Sequence, residues 1–562
     1  MLLPRALCST AEAVAPPPLL RRPITGTFLD IRYDGRLKYA NNVTLRMSCA
    51  DWAGKIRELK VLGIGYIIFQ AVHDNRFGAF YDSTIHAHWK GACPDVVRTI
   101  MLAAAHEKIR VWLSCEYTNT DADGVTNSTL MDGRRAIMAE LVSKGYTALP
   151  SFHGWYFSSE AFLVPSADCP ACFPEEFFKY INTMSNWSSV LTPGAKKFVS
   201  PYGTKIAQAS SAFVAQLRRL EVDVVAYQDE VGCIRDEFPV ETARAAFQQL
   251  RAAHDRSGTP ALWGNLESFT WEAVPNLGGF PGSALIPAPF PRILAQLDRV
   301  HAPHVDALIT FTVQAIFQPP ATASSAPSWG PPAATREWTA YKAALSAGPT
   351  SSERLLAAAV HGAVEHAAVG WTVSYPSNQP DPTMAAGRLT DGLTGSQTHL
   401  DRRWVGFAPA ADAVVVLAVP TDAVWPPRSL AAHFLAVPPV WFRDGDHSKP
   451  VARNFTSWLP SEVRWATAQT ADGPWVDIGK PLGTDWWERE VYDIRTEVYA
   501  QVFRPPAEGG RVSMRPRYLR MTAKSSPPPW WAAWQKQVQP VVPALKEGRL
   551  VLDELIVDFI LA

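Results

Sequence analysis

No run of about 18 or more apolar residues occurs in this 562-residue chain, so no transmembrane helix is expected. Net charge is missing too. Lys+Arg and Asp+Glu balance at 53 each, and without a basic stretch nothing collects a nucleic acid. There is no nucleophile elbow, P-loop or HExxH motif, and no glycine-rich phosphate loop follows the first strand-like run. Cysteine is sparse and one-sided. All seven (Cys8, Cys49, Cys93, Cys115, Cys169, Cys172 and Cys233) lie in the N-terminal part. Cys169-Pro170-Ala171-Cys172 is a single CxxC with no second pair, which suits a loop disulfide or two thiols better than zinc.

What is present describes a large globular chain. Apolar residues make up 47% and charged residues 19%, enough for big cores, and the length favours two domains. The 21 tryptophans either fill those cores or present flat faces to sugar rings. Residues 1–21 read as an extension, disordered or signal-like, in which Pro4, Glu12 and Pro16 to Pro18 interrupt any apolar segment. Sequons at Asn42, Asn127, Asn186 and Asn454 tilt the expected location toward the secretory pathway or the cell exterior.

Eight strand-like runs recur about 26 to 46 residues apart. They begin at Ile24, Gly65, Arg110, Gly154, Lys197, Asp223, Ala261 and Ala307. Amphipathic stripes lie between them: Trp52, Ile56, Leu59 and Leu62, with Lys55 and Glu58 off the stripe; Phe213, Val214, Leu217 and Leu220; and Ile293, Leu294, Leu297 and Val300. Wholly apolar strands alternating with such helices predict a parallel sheet covered by helices, and eight of them predict a (β/α)8 TIM barrel over 22–350. Gln318 to Thr335 reads as a Pro-rich loop over the rim, and Arg336 to Ala347 as the last barrel helix. Residues 351–562 carry short strands at Trp371, Val414, Trp475, Tyr518 and Leu555, which predicts a β-sandwich.

The runs ending at Glu160 and Glu267 are the fourth and seventh. In a barrel every strand ends at one rim, so both carboxylates would face a common pocket, as glycoside hydrolysis requires. Glu267 is the candidate nucleophile and Glu160 the candidate acid/base. Asp229 and Glu230 compete for catalytic roles or bind hydroxyls, and Asp30 and Glu116 are candidate hydroxyl ligands or structural partners. Gln70, Trp155, Tyr156, Tyr202, Tyr227, Gln228, Trp263 and Asn265 complete a rim suited to a polyol. His73, His86 and His88 follow the second strand without a supporting carboxylate pattern, which argues against a metal there. No cofactor is expected for catalysis.

The barrel half resembles the family of domain of unknown function 4434. The likeness rests on Ile24-Thr25-Gly26-Thr27-Phe28, Gly154-Trp155-Tyr156 with Glu160, Ser200-Pro201-Tyr202, Gln228-Asp229-Glu230-Val231-Gly232 and Asn265-Leu266-Glu267-Ser268-Phe269. It implies a TIM barrel allied to glycoside hydrolases. The carboxylate placement also resembles the clan of retaining glycosidases with acid/base on strand four and nucleophile on strand seven, which implies retention. The Asn usual before the strand-four Glu is Ser159 here. The residues alone suit either the ~5–5.5 Å carboxyl spacing of retention or the ~6.5–9.5 Å of inversion.

The C-terminal half is similar to discoidin-like, galactose-binding-fold jelly rolls through Tyr375-Pro376-Ser377, Gly387 to Gly392, Trp404 to Phe407 and Leu552 to Val557. That resemblance implies a structural calcium held by Asp391 and Glu554, both hard oxygen donors. The expected function is therefore a glycoside hydrolase acting on an oligo- or polysaccharide. The rivals are a non-catalytic carbohydrate-binding barrel and a cell-surface structural or adhesion protein.

Overall fold

The computed structural model describes residues 22–346, apart from 32–39, 41–42, 75–76, 116–127, 234–239, 272–283, 289, 322 and 325, and then strand segments with adjoining residues between 371 and 558. Eight parallel strands close a barrel: β1 (Gly26–Leu29), β2 (Tyr66–Phe69), β3 (Arg110–Ser114), β4 (Phe152–Tyr156), β5 (Lys196–Val199), β6 (Val224–Gln228), β7 (Ala261–Leu266) and β8 (Ala307–Thr310). Each pairs with its sequence neighbour, and β8 returns to β1 with Gly26 opposite Ile309.

One helix follows every strand: α1 (Cys49–Val61), α2 (Val96–His106), α3 (Ser128–Ser143), α4 (Glu175–Leu191), α5 (Ser211–Arg219), α6 (Val240–Ser257), α7 (Phe290–Ala295, prolonged as a π-turn over Gln296–His301) and α8 (Pro332–Ser346). Ser48 caps α1 with a reciprocal Ser48–Asp51 box, as the Ser-x-x-acid spacing favours. The last helix starts at Pro332, earlier than Arg336, because proline is tolerated where the first-turn N–H would lack a partner anyway.

Two apolar clusters explain strands that are hydrophobic on both faces. Phe28, Ile68, Trp112, Tyr156, Phe198, Val224, Ala226, Trp263 and Ile309 fill the barrel, while Leu29, Ile67, Leu113, Val199, Val225 and Leu262 meet the helices. The expected stripes on α1, α5 and α7 are buried, but Lys55 and Glu58 are not solvent-facing. Lys55 Nζ donates to Glu58 Oε2 (2.8 Å) and to Gln318 Oε1 (3.1 Å), and lies 4.7 Å from the Trp329 ring. The loop after β8 covers this face of α1, which local periodicity does not report.

Cys169 and Cys172 form a disulfide within their loop, and Cys49–Cys93 ties the start of α1 to the segment following β2 across 44 residues. A Cys49→Ser/Cys93→Ser variant is expected to lose about 2–4 kcal/mol in urea unfolding, since the link restricts the unfolded chain. An unchanged midpoint would show the link to be dispensable.

The C-terminal region is separate from the barrel sheet and antiparallel. One sheet orders Val373–Ser374, Ala413–Ala418, Tyr518–Lys524, Glu462–Ala468 and Val476–Asp477, with Leu482–Gly483 beside Glu462–Ala468. A second orders Val405–Gly406, Val551–Asp558, Ser429–Ala436 and Glu497–Phe503. Residues 347–370, including the expected domain boundary, lie outside the described residues. No described helix is long and apolar enough to cross a membrane.

Candidate active site

Side chains on a strand alternate between its two faces, so the inner cluster fixes the phase at the barrel mouth. Val224 and Ala226 point inward while Val225 and Tyr227 join the outer core, which turns Gln228 inward. On β7, Trp263 is inward and Leu262 and Leu266 outward, so Asn265 and Glu267 continue the inner row. The same count adds Asp30 above Phe28, Gln70 above Ile68, Ser114 above Trp112, Ser158 above Tyr156 and Ser200 above Phe198. An aromatic barrel interior therefore ends in a polar layer at the C-terminal rim, where sites are built on this fold.

That layer is cross-linked. Asn265 Nδ2 donates to Ser200 Oγ at 3.1 Å, Ser200 Oγ donates to the Ala226 carbonyl at 2.8 Å, and Gln228 Nε2 donates to the Ser200 carbonyl at 3.2 Å. Asn265 Oδ1 is buried and has no partner among the described residues, which leaves one acceptor in the mouth for a ligand hydroxyl or water. Asp30 is held through its backbone, its N–H donating to Gln314 Oε1 (2.6 Å) and its carbonyl accepting from Gln314 Nε2 (2.8 Å).

Glu267 directly follows β7 and is 3% exposed. Its Oε2 accepts the Cys233 N–H at 2.5 Å. Its own N–H donates to Asp229 Oδ1 (3.1 Å), and its carbonyl accepts from Gln296 Nε2 (3.2 Å). Asp229 Oδ2 takes Gln296 Nε2 (2.8 Å) and His301 Nε2 (2.9 Å). Asp229 is thus wholly buried and turned toward α7, where it anchors the Glu267 backbone. The Arg292 guanidinium joins the Val231 and Phe269 carbonyls, stitching the turn after β6 to the segment after β7.

Glu230 is buried with a left-handed backbone (φ 57°), and its Oε1 accepts the Thr204 N–H (2.5 Å) and hydroxyl (2.9 Å). Burial pushes its carboxyl above the usual range, and the Thr204 hydrogen bonds oppose that rise.

Glu160 lies beyond the end of β4, exposed to solvent. The Ala161 carbonyl accepts the Tyr202 N–H at 3.0 Å, and the Phe162 and Tyr202 rings meet edge to face at 5.6 Å. The segment bearing Glu160 therefore runs alongside the one after β5. The Tyr202 phenol is raised by burial, then by the charges of Glu160, Glu230 and Cys233. Thr204, two residues on, donates its hydroxyl to Glu230 Oε1, and three residues beyond Glu230 the Cys233 N–H holds Glu267.

Several rings expected at the rim lie elsewhere. Trp155 is buried in the outer layer and donates Nε1–H to Thr192 Oγ1 (2.8 Å). Tyr227 is also outward, with its hydroxyl 3.1 Å from His254 Nε2. Trp263 faces inward but near the N-terminal end of the barrel, 5.1 Å from the Tyr66 ring. Tyr156 packs beneath the mouth, 5.3 Å from Phe28. Glu116 and Asp391 lie outside the described residues, as does the side chain of Glu554, whose backbone in Val551–Asp558 pairs opposite His433. No group of three His, Cys, Asp or Glu among the described residues is placed to hold a metal ion. Ser114 and Ser158 were not foreseen at the mouth, although counting in twos from the inward rings finds both.

The family described as Domain of unknown function (DUF4434) matches residues 24–324. No curated protein matches the chain. Among solved structures it is similar to a candidate alpha-L-fucosidase from Bacteroides thetaiotaomicron, at 17% identity over 62% of this chain and 100% of that one, with TM-score 0.42. A GH5_18 protein from Streptomyces cattleya, solved with GlcNAc, is similar at 14% identity over 58% and 82%, with TM-score 0.35. The intracellular xylanase of Thermoanaerobacterium saccharolyticum is similar at 9% identity over 52% and 88%, with TM-score 0.31.

Proposed function

The chain belongs to the DUF4434 family, and from the site its barrel builds we propose that it is a glycoside hydrolase that uses Glu267 as nucleophile and Glu160 as acid/base. The supporting observation is a run of contacts round the rim: the Ala161 carbonyl, next to Glu160, accepts the Tyr202 N–H, Thr204 donates to Glu230, and the Cys233 N–H binds the Glu267 carboxylate. The Cys233 N–H binds the anionic form a nucleophile requires. Glu160, open to solvent, can donate a proton to the glycosidic oxygen and recover one from water. In the first step Glu267 attacks the anomeric carbon, the bond to the leaving oxygen breaks, and that oxygen takes the Glu160 proton. In the second, Glu160 deprotonates a water that displaces Glu267 and releases the sugar with retained configuration. Gln70, Gln228 and Asn265 supply neutral hydrogen bonds to hydroxyls at the mouth.

The test is release of reducing ends from a glycan panel, with wild type, Glu160→Gln and Glu267→Gln compared and product anomer followed by NMR. One feature favours the rival reading of a barrel that binds glycans without turnover: Glu160 is exposed and stands beyond the strand rather than at its end. Glycan binding by wild type with no product from any substrate would select that rival.

Gly232→Ala probes the nucleophile's seat. A methyl there would come 2.6 Å from Glu267 Cβ, 2.9 Å from Oε2 and 3.0 Å from the Phe269 carbonyl. Glu267 must then move, and misplacement of about 1 Å costs roughly 10²-fold in rate. The expected outcome is that loss in kcat with an unchanged circular-dichroism spectrum. Wild-type kcat would mean that Glu267 is not the reacting group.

A further inference from the structure

A cavity of about 540 Å³ opens in the segment between β2 and α2, away from Glu160 and Glu267 in sequence but on the strand-end side of the same barrel. Its size falls within the range of small-molecule sites. The polar side chains lining it are His73, His86, His88 and Lys90; the others are Leu45, Phe77, Gly78, Ala87 and Trp89. Among the described residues, no Asp, Glu, Asn, Gln, Ser or Thr lines it. An ammonium only donates, and each imidazole offers one donor and one acceptor when neutral and two donors when protonated. This wall suits a ligand that accepts hydrogen bonds and carries negative charge.

The frame is prebuilt. A two-stranded turn pairs His73–Asp74 with Gly78–Ala79, the Ala79 N–H donates to the Ala87 carbonyl (2.7 Å), and the Trp89 N–H donates to the Ala79 carbonyl (3.0 Å). Gly78 has φ +86°, and any Cβ there would sit 2.2 Å from the Ala87 carbonyl oxygen, so only glycine lets the two segments close. The Ala92 N–H donates to the Leu45 carbonyl (3.0 Å), and Cys49–Cys93 fastens the same two segments covalently. Phe80 braces Trp89 edge to face at 4.7 Å, and the His73 and His86 rings lie 4.2 Å apart. Among the described residues, two carboxylates are near without lining the space. Asp74 is buried in the turn, and Glu140 is engaged by the hydroxyls of Tyr81, Ser83 and Thr84 and by the Thr84 N–H. Lys90 and His88 are exposed, so they can reach a bound anion.

We propose that this cavity is a subsite for a carboxylate-bearing sugar unit, a hexuronate, with Lys90 and His88 on the carboxylate and the Phe77 ring against the C–H side of the sugar. The balanced charge of the whole chain argues against a long polyanion as the ligand and for one local contact. The assignment rests on the glycan reading of the barrel and names the class of glycan it takes. It does not require that the barrel turn the glycan over.

The experiment uses the full chain carrying Glu267→Gln, titrated calorimetrically with galacturonate, glucuronate and mannuronate oligomers and with the same oligomers after carboxyl reduction. At least one acidic oligomer is expected to bind about tenfold or more tightly than its reduced partner. Lys90→Ala combined with His88→Ala should erase that preference while leaving affinity for the reduced oligomer unchanged. Equal affinity for the two forms, an undiminished preference in the double variant, or no binding of any acidic oligomer each overturns the subsite. Reducing-end release by the wild-type chain is read separately. Acid-selective binding without release retires the hydrolase and keeps the subsite, whereas release from neutral glycans alone does the reverse.

Discussion

Glu267→Gln is expected to lower turnover of every glycan the chain hydrolyses by ~10³-fold or more, about 4 kcal/mol of transition-state stabilisation, with glycan affinity changed only a few-fold. The substitution is nearly isosteric, and a Gln Oε1 can still accept the Cys233 N–H that Glu267 Oε2 accepts. The backbone clamp, Asp229 on the Glu267 N–H and Gln296 on its carbonyl, does not involve the side chain and stays intact. On the proposed mechanism, what disappears is the negative charge that forms the bond to the anomeric carbon, so the loss falls on kcat rather than on folding or binding. Glu160→Gln should behave differently. It removes a proton donor worth roughly 10²–10⁴-fold, and an activated aryl glycoside, whose leaving group needs little protonation, should recover most of its first-step rate. Equal loss on activated and unactivated substrates would assign Glu160 another role. Wild-type turnover by Glu267→Gln would remove the two-carboxylate mechanism altogether.

The barrel was legible because its strands are apolar on both faces, and a sequence shows that as short uninterrupted runs spaced by one helix. The family match over 24–324 falls inside the 22–350 expected to form the barrel. Depth and face were harder to read. Trp263 shares the inward phase of Glu267 but sits four positions below it, roughly 13 Å at the rise of a strand, and so belongs to the packed floor. Tyr227 neighbours inward Gln228 and therefore points outward to His254. Parity separates Tyr227 from Gln228, and the rise along the strand separates Trp263 from Glu267. The role of Asp229 had no local signal at all, because its partners Gln296 and His301 lie on a helix that only the closed barrel brings back against β6. Lys55 misled for a similar reason: its charge suggests solvent, while its aliphatic stem and ammonium are covered by Gln318 and Trp329, far along the chain. The cysteines divide the same way. The Cys169–Cys172 closure is local and was among the expected outcomes, whereas Cys49–Cys93 depends on how two rim segments meet.

Glu337→Gln is expected to flatten the chain's pH-dependent stability and make it more stable than wild type at pH 8. Glu337 lies in α8, 7% exposed, and burial pushes its carboxyl up to about 8, with the charges of Arg336 and Arg292 only partly opposing the rise. One of its oxygens, Oε2, has no partner among the described residues. The buried group is therefore protonated at neutral pH, whereas in the unfolded chain it ionises near the ordinary carboxyl value of 4.5. Between those two values the unfolded state has released a proton that the folded state still holds, so stability falls as pH rises. The contribution is complete below pH 4.5 and is lost by pH 8, at about 1.4 kcal/mol per pH unit and on the order of 4–5 kcal/mol in all. Glutamine cannot ionise, so the variant loses that slope and is left only with a pH-independent cost of about 1–3 kcal/mol for a poorly paired amide. Urea unfolding at pH 5, 6.5 and 8 decides the matter: the two proteins should cross, with wild type ahead at pH 5 and the variant ahead at pH 8. Parallel curves would place the Glu337 carboxyl in contact with water. The consequence reaches the mouth, because Arg292, the guanidinium that Glu337 senses, joins the Val231 and Phe269 carbonyls on either side of Glu267. Ionisation of Glu337 would draw that guanidinium toward α8, so wild-type activity should fall above pH 8 more steeply than that of Glu337→Gln.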